Sequence, residues 1–203
     1  MKIAIPNSIL SAASLFLSKT FAKPTSALLL ELGPTESRLV ASNGHILCCF
    51  RIQQETSLPT PMPFLLPPDL FSDRHPAFTT TALAIDTTTR QVTATCGSST
   101  RTARTLHGTF PDYRCAIPHS VTGEVGQFDP NLLHVFAKAA TILVGPRGPQ
   151  SLQLLHNGPT GPALIYLPGY PDFLGCIMPV RPPTDHAPLP LLVPDWVHTP
   201  LSR

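Results

Sequence analysis

The stretch GTFPDYRCAIP (108–118) decides how this chain is organised. Phe110 and Tyr113 cannot both be left in water without cost, yet Pro111 and Pro118 exclude a regular helix or a central strand, because proline fixes φ and has no backbone donor. The segment is therefore predicted to be a pinned connection between two folded parts. Its place in the chain indicates that it also lines the crevice between them.

Two similar units precede this connector. Each is predicted to contain a strand, a helix and three more strands, and the Asn-Gly before His45 is a strong hairpin signal. The predicted elements are KIAI, a helix over about 8–19 and strands at 27–32, 36–42 and 45–52 in the first unit, then a strand at 63–67, a short helix at 68–74 and three strands within 81–106 in the second.

The same order appears a third time after the connector. GQFDP (126–130) leads into NLLHVFAKAATILV (131–144), whose apolar residues recur at helical spacing. The chain therefore has three consecutive β-α-β-β-β units, which predicts an α+β fold with helices on one side of antiparallel sheets. The apolar helix face consists of Leu132, Val135, Phe136, Ala139 and Leu143, and the three strands are expected at 151–156, 163–168 and 173–181.

Composition limits the classes of function. With 42% hydrophobic and 13% charged residues among 203, the chain can form a globular core. A net charge of +2 is too small to indicate a nucleic-acid partner by itself. No apolar run approaches the roughly 18 residues of a membrane span, so no membrane association is predicted. The proline-rich tail 182–203 is expected to be extended.

The cysteines and the first residues indicate a cytoplasmic protein. Five cysteines, an odd number without paired spacing, favour reduced thiols over a disulfide framework or a zinc site. His45 near Cys48 and Cys49 could suggest metal ligands, but adjacent strand side chains point to opposite faces, and no metal or other cofactor is predicted. Residues 1–24 loosely imitate a signal peptide, although Pro6 and several polar residues interrupt the apolar stretch.

Three blocks, ASNGHILCC (41–49), GTFPDYRCAIP (108–118) and GCIMPVR (175–181), together resemble one known family. It is the bacterial DNA polymerase III beta subunit, the sliding clamp, and especially its shorter relatives in phages and prophages. The blocks are similar to the family's Ala-Thr-Asp-Gly-His-Arg-Leu-Ala segment, its Gly-Arg-Phe-Pro-Asp-Tyr-Arg-Arg-Val-Ile-Pro connector and its Val-Met-Pro-Met-Arg segment. The resemblance covers residues 1–181.

The resemblance implies a DNA-clamp-like fold and a domain division. Residues 1–118 would form one complete clamp-like domain, from half-domains at about 1–57 and 63–107 plus the connector. Residues 119–181 would match the C-terminal half of the family's last domain, and the family's N-terminal domain is absent. The family's ring contains twelve half-domains and this chain supplies three, so a closed ring would be a homo-oligomer of four chains.

The resemblance also implies a function as a replication processivity factor. In the family these blocks surround a hydrophobic pocket that binds short linear peptides of polymerases and other replication and repair proteins. Asn43, Ile46 and Cys115 depart from the family pattern and leave the rim less charged. Residue by residue, the pocket would comprise Ser42, Gly44, His45, Leu47, Pro111, Ala116, Ile117, Cys176, Met178 and Pro179.

Two alternatives differ in whether the protein encircles double-stranded DNA. An encircling clamp would present basic helix residues to the phosphates. A non-encircling adaptor would keep only the peptide pocket, and the basic residues would then be scattered surface charges. The candidates for DNA contact are Lys19, Lys23, Arg74, His134, Lys138 and Arg147.

Other functions receive little support from the sequence. No Gly-x-Ser-x-Gly turn, phosphate-binding loop or His-Glu-x-x-His motif occurs, and the twelve acidic residues are scattered, so no enzymatic activity is predicted. PLPLLVPDW (188–196), which contains Trp196, could be a docking peptide for this chain's own groove or for a partner.

Overall fold

The structure is a computed structural model, and it describes residues 1–18, 24–56, 58–72, 78–145, 148 and 151–181. These residues form two antiparallel sheets and two α-helices. The strands are β1 (Lys2–Pro6), β2 (Leu28–Leu32), β3 (Ser37–Ser42), β4 (Ile46–Ile52), β5 (Met62–Leu66), β6 (Thr80–Ile85), β7 (Gln91–Cys96), β8 (Ser99–Arg104), β9 (Gln153–Leu155), β10 (Ala163–Tyr166) and β11 (Phe173–Ile177), and the helices are α1 (Asn7–Ser14) and α2 (Pro130–Val144).

The first two units exchange their first strands. β1 pairs with β6 in a four-stranded sheet of order β1-β6-β7-β8, with Ile3 opposite Leu83. β5, from the second unit, pairs with β2, with Phe64 opposite Leu30. Neither unit therefore completes its own sheet, and the two units fold as one body.

The third unit extends the other sheet. β11 pairs antiparallel with β4, so that Phe173 lies opposite Phe50, and the sheet reaches seven strands in the order β5-β2-β3-β4-β11-β10-β9. At the end of this β4–β11 junction the Arg51 side chain contacts the Asp172 carboxylate, with Nη2 and Oδ1 2.7 Å apart. The junction thus joins the first and third units through a continuous backbone ladder.

Both helices pack on one face of the seven-stranded sheet, which we call the inner face. The fully buried rings of Phe16 and Phe136 meet edge to face with centroids 4.9 Å apart. Gly175 in β11 allows the Phe136 ring to approach the sheet closely, because a Cβ there would lie 2.5 Å from Phe136 Cε1. α2 begins where the Asp129 carboxylate accepts from the Asn131 amide, and it ends at Gly145, whose φ is 80°. Helices on one side of antiparallel sheets were predicted, and this arrangement is confirmed.

Several predicted elements are shorter in the structure. α1 ends at Ser14 rather than near residue 19, because the next amides bond three residues back: Leu15 donates to Ala12 and Phe16 to Ala13. The helix predicted at 68–74 is a single 3-10 turn, Pro68–Phe71, with 73–77 outside the described residues.

The third unit also departs from the predicted pattern. β11 ends at Ile177 rather than at 181, since Pro179 has no amide to continue the ladder, and beyond it Val180 donates to Gln127. Residues 119–129, all described, contain no strand, so the third unit has no counterpart of β1. The proline-rich tail 182–203 lies outside the described residues.

The segment that imitates a signal peptide forms part of the core. Residues 2–14 form β1 and α1, and Ile3, Ile5, Ile9 and Leu10 are buried. The apolar character of this stretch is therefore explained by packing against the sheets.

Candidate functional site

The connector covers the face of the seven-stranded sheet opposite the helices, which we call the outer face. Phe110 and Tyr113 are buried there, as the sequence predicts, and residues Tyr113–Ala116 form a 3-10 turn. The Asp112 carboxylate starts the turn by accepting from the Arg114 amide at 3.2 Å. The two aromatic side chains pack in a cluster with Ala27, Leu29, Val40, Leu47, Leu65 and Cys176, against which Cys49 and Ile117 are partly buried.

A polar network fixes the connector to β2. The Tyr113 hydroxyl and the Arg114 guanidinium both donate to Glu31 Oε2, each at 2.7 Å. The Arg114 guanidinium also lies 4.6 Å from the centre of the Tyr113 ring. Burial, followed by the bond to Glu31, raises the pKa of Tyr113, so its hydroxyl remains a neutral donor. The connector is thus held by charge-assisted hydrogen bonds as well as by apolar contacts.

The turn between β3 and β4 is shaped by its own side chains. Asn43 Oδ1 accepts from the amides of His45 and Ile46 at 2.9 and 3.0 Å. Ser42 Oγ donates to the Ile46 carbonyl at 2.8 Å and accepts from the Gly44 amide at 3.0 Å. Gly44 has a φ of 94°, which other residues rarely adopt. This turn leaves Gly44 and His45 exposed at the end of the sheet.

The three sequence blocks meet where this turn, the connector and the end of β11 come together. Cys176 lies opposite Leu47 in the β4–β11 pair, and its thiol donates to the Ala116 carbonyl at 3.1 Å. The Met178 amide donates to the His45 carbonyl at 2.9 Å. Ser42 also lies opposite Leu47 in the β3–β4 pair and accepts from the Gly44 amide, so seven of the ten predicted peptide-site residues are linked directly by pairing or hydrogen bonds.

The surface at this meeting point is apolar. Leu47 and Cys176 form its buried floor, while Met178 is 38% exposed at its edge. Ile117 and Pro179 are half-buried. Burial raises the pKa of Cys176 to about 11, so the thiol is neutral and behaves as a small apolar group. A methionine beside a proline ring and an aliphatic side chain suits contact with aliphatic or aromatic side chains.

Pro111 lies at a different part of the connector. It lines an open cleft of about 410 Å³ between the connector and the β2–β5 edge. Arg90 also lines this cleft; it has a φ of 56° and donates to Thr105 Oγ1 at 3.0 Å. The sequence analysis missed Arg90 and this cleft, because no motif distinguishes an arginine in a turn before a strand. The remaining lining includes Leu29, Glu31, Pro63, Leu65 and residues 108–114.

The predicted DNA-contact residues are only partly described. His134 and Lys138 lie exposed on α2, one turn apart. α1, over Asn7–Ser14, contains no lysine or arginine. The described helices therefore present one lysine. Lys19, Lys23, Arg74 and Arg147 lie outside the described residues.

The described residues lack two other kinds of feature, a metal-binding cluster and a membrane-spanning helix. No group of three or more His, Cys, Asp or Glu side chains in the described ranges is placed to bind a metal ion. Neither described helix has the length and apolar character needed to cross a membrane.

The fold is similar to that of solved sliding clamps. The DNA polymerase III subunit beta from Pseudomonas aeruginosa matches with a TM-score of 0.64 and 14% identity, over 89% of this chain and 66% of that one. The beta subunit from Thermotoga maritima matches with a TM-score of 0.62 and 16% identity, over 90% of this chain and 66% of that one. The sliding clamp from Bacillus subtilis matches with a TM-score of 0.63 and 14% identity, over 90% of this chain and 64% of that one. The chain has the sliding-clamp fold.

These matches are matches of structure. No family model matches the sequence, and no curated protein matches it. The chain spans about two thirds of the length of the clamps that it matches, with 66% of the Pseudomonas aeruginosa chain covered. The predicted fold class is confirmed, and so is the likeness to a shortened clamp.

Proposed function

We propose that the protein is a sliding-clamp-like processivity factor of DNA replication, which binds short linear peptides of polymerases and other replication or repair proteins. In this proposal it acts in the cytoplasm, belongs to a phage or an integrated element, and encircles DNA as an oligomeric ring. The observation that carries the proposal is the meeting of three sequence blocks at one apolar surface, through the His45–Met178 and Ala116–Cys176 hydrogen bonds.

The geometry of this surface supports binding of an extended peptide. Its floor, Leu47 and Cys176, is fixed by the β4–β11 ladder, and its edges are held by the connector and the β3–β4 turn. A pre-formed apolar surface loses little conformational entropy when a peptide binds. Leucine or phenylalanine anchors would pack against Met178, Ile117 and Pro179.

A peptide-binding measurement tests this proposal. A fluorescein-labelled peptide with Leu and Phe anchors should bind the full chain in fluorescence polarisation, and Met178→Glu should abolish binding because it places an unpaired charge against apolar anchors. Val125→Glu is the matched control, since Val125 is 65% exposed and lies outside the candidate site. Full affinity in the Met178→Glu variant would contradict the site assignment.

A second candidate function is a non-encircling adaptor that uses the same peptide site. The observation that favours it is the sparse charge of the described helices, where Lys138 is the one lysine in α1 and α2. A protein that slides on DNA is expected to neutralise several phosphates with Lys and Arg. A ring of four copies would repeat Lys138 and His134 four times around the duplex.

Native mass and DNA loading distinguish the two candidates. Light scattering should give about 88 kDa, four times 21.9 kDa, for a closed ring, and about 22 or 44 kDa for an adaptor. In a ring, Lys138→Glu combined with Lys19→Glu should reduce retention on circular DNA without changing peptide affinity. Unchanged retention in this double variant would count against phosphate contact by Lys138 and Lys19.

A further inference from the structure

The residues that follow the described part of the chain start beside the candidate peptide site. The described residues end at Arg181, three residues after Met178. Residues 182–203 lie outside the described residues and include PLPLLVPDW (188–196). An apolar segment of the same chain is therefore attached next to an apolar surface.

The surface at this exit is incompletely covered. Met178 is 38% exposed and Val180 is 46% exposed, so two of the last four described residues present large apolar side chains to water. Both are held in place by their backbone, since the Met178 amide donates to His45 and the Val180 amide to Gln127. Met178 and Val180 therefore leave apolar side chains accessible next to the point where residues 182–203 begin.

We propose that PLPLLVPDW (188–196) of the same chain binds at the candidate peptide site and competes there with peptides from other proteins. This inference rests on the proposed function, because it takes the peptide site as its starting point. The segment supplies the anchors that the site suits, in Leu189, Leu191, Leu192 and Trp196. Three prolines in a segment of nine residues lower the backbone entropy that is lost when such a segment docks.

The connection to the site is short enough for binding within one chain. Residues 182–187 separate Arg181 from the segment, and six extended residues reach about 20 Å, which is sufficient to reverse direction and return to Met178. A short linker gives an effective concentration in roughly the millimolar range, so even a weak segment would occupy the site for much of the time. The tail then sets a threshold of affinity that a partner peptide must exceed.

Trp196 reports directly on this contact, because it is the only tryptophan among the 203 residues. In the full chain its emission should be shifted to the blue of the emission in urea, and the shift should not depend on protein concentration. Saturation with a Trp-free peptide that has Leu and Phe anchors should move the emission to the red, as should Met178→Glu. Val125→Glu should leave the emission unchanged.

A second variant keeps the test valid if Met178→Glu fails to fold. Leu191→Asp combined with Leu192→Asp removes apolar anchors from the tail alone and should tighten binding of the labelled peptide on the order of tenfold, because the site is no longer self-occupied. Unchanged affinity would overturn the proposal. An emission maximum equal to that in urea would also overturn the proposal. So would a blue shift that is lost on dilution, because it would indicate contact between two copies of the chain.

These measurements separate the failure of this inference from that of the proposed function. If the labelled peptide binds and Trp196 emission does not respond, the tail proposal is wrong and the peptide site stands. If no labelled peptide binds even to the Leu191→Asp/Leu192→Asp variant, while Met178→Glu still removes a blue shift of Trp196, the site is reserved for the tail and the proposed function fails.

Discussion

The two faces of the seven-stranded sheet are covered by different kinds of structure. On the inner face, the turn after α1 brings fully buried Phe16 against the strands, and α2 brings fully buried Phe136. On the outer face, an irregular connector buries Phe110 and Tyr113, and Tyr113 also bonds the Glu31 carboxylate. The first cover packs mainly through apolar side chains, whereas the second combines apolar packing with charged groups at its rim.

Strand β4 lies between the two covers and has buried residues on both faces. Its residues alternate between the two faces, and all except Arg51 are apolar because both faces are covered, so the strand appears in the sequence as an almost continuous apolar run. The run identifies the strand but does not identify what covers each face. We expect the inner cover to supply most of the stability and the outer cover to fix the geometry of the candidate peptide site. The inner-facing residues are Ile46, Cys48, Phe50 and Ile52, and the outer-facing ones are Leu47, Cys49 and the exposed Arg51.

The largest expected effect is on the inner face. Phe136→Ala should lower the free energy of unfolding by about 3–5 kcal/mol, because it empties a site in contact with Phe16 and Phe173. Urea unfolding followed by circular dichroism measures this change. Ile142 lies in the same helix but is 37% exposed, so Ile142→Ala should change the free energy of unfolding by less than about 0.5 kcal/mol. Equal losses in both variants would refute the assignment of the inner face as the main core.

The sequence was sufficient to predict the local elements of both covers. Apolar spacing in 131–144 predicted the buried face of α2, and Phe136 and Ala139 are indeed buried. The Asn-Gly turn and the apolar runs predicted β3 and β4 to within a residue. The resemblance of three short blocks predicted which segments meet at the outer face, because such motifs carry long-range information that periodicity lacks.

What could not be predicted are contacts between distant parts of the chain. Periodicity tells which face of a strand is buried, but not which strand lies beside it, so the exchange of β1 and β5 was not foreseen. The Tyr113–Glu31 hydrogen bond joins residues 82 positions apart and depends on where the connector crosses β2. The early end of α1 also depends on tertiary packing, because Phe16 turns into the core beyond the last helical residue.

An intermediate effect is expected on the outer face. Tyr113→Phe keeps the buried ring and removes the hydroxyl that donates to Glu31, so near neutral pH it should cost about 1 kcal/mol of unfolding free energy. Tyr166→Phe, at a 38% exposed tyrosine, is the matched control and should have almost no effect. A loss above about 3 kcal/mol would show that the outer face is as critical to stability as the inner one.

The pH dependence of the stability difference between the wild-type chain and Tyr113→Phe tests the role of the Tyr113 hydroxyl further. Burial and the Glu31 bond raise the pKa of Tyr113 above its ordinary value of 10.0, so the folded chain keeps the phenolic proton to higher pH than the unfolded chain does. The stabilisation is therefore complete below pH 10.0 and is lost as the pH rises through the folded-state pKa. The difference between the wild-type chain and Tyr113→Phe should shrink in urea unfolding above pH 10.0. A constant difference would mean that Tyr113 titrates equally in both states.

The smallest expected effect is at the edge between the two covers, where Arg51 contacts Asp172. Both side chains are substantially exposed, at 47% and 34%, so Arg51→Met should lower the free energy of unfolding by at most about 1 kcal/mol, and less in high salt. The β4–β11 ladder should persist, because the Arg51 amide still donates to the Asp172 carbonyl at 2.9 Å. Arg104→Met on exposed β8 is the matched control. A loss above about 2 kcal/mol from Arg51→Met alone would mean that this ion pair, rather than backbone pairing and the shared inner core, holds the third unit to the first.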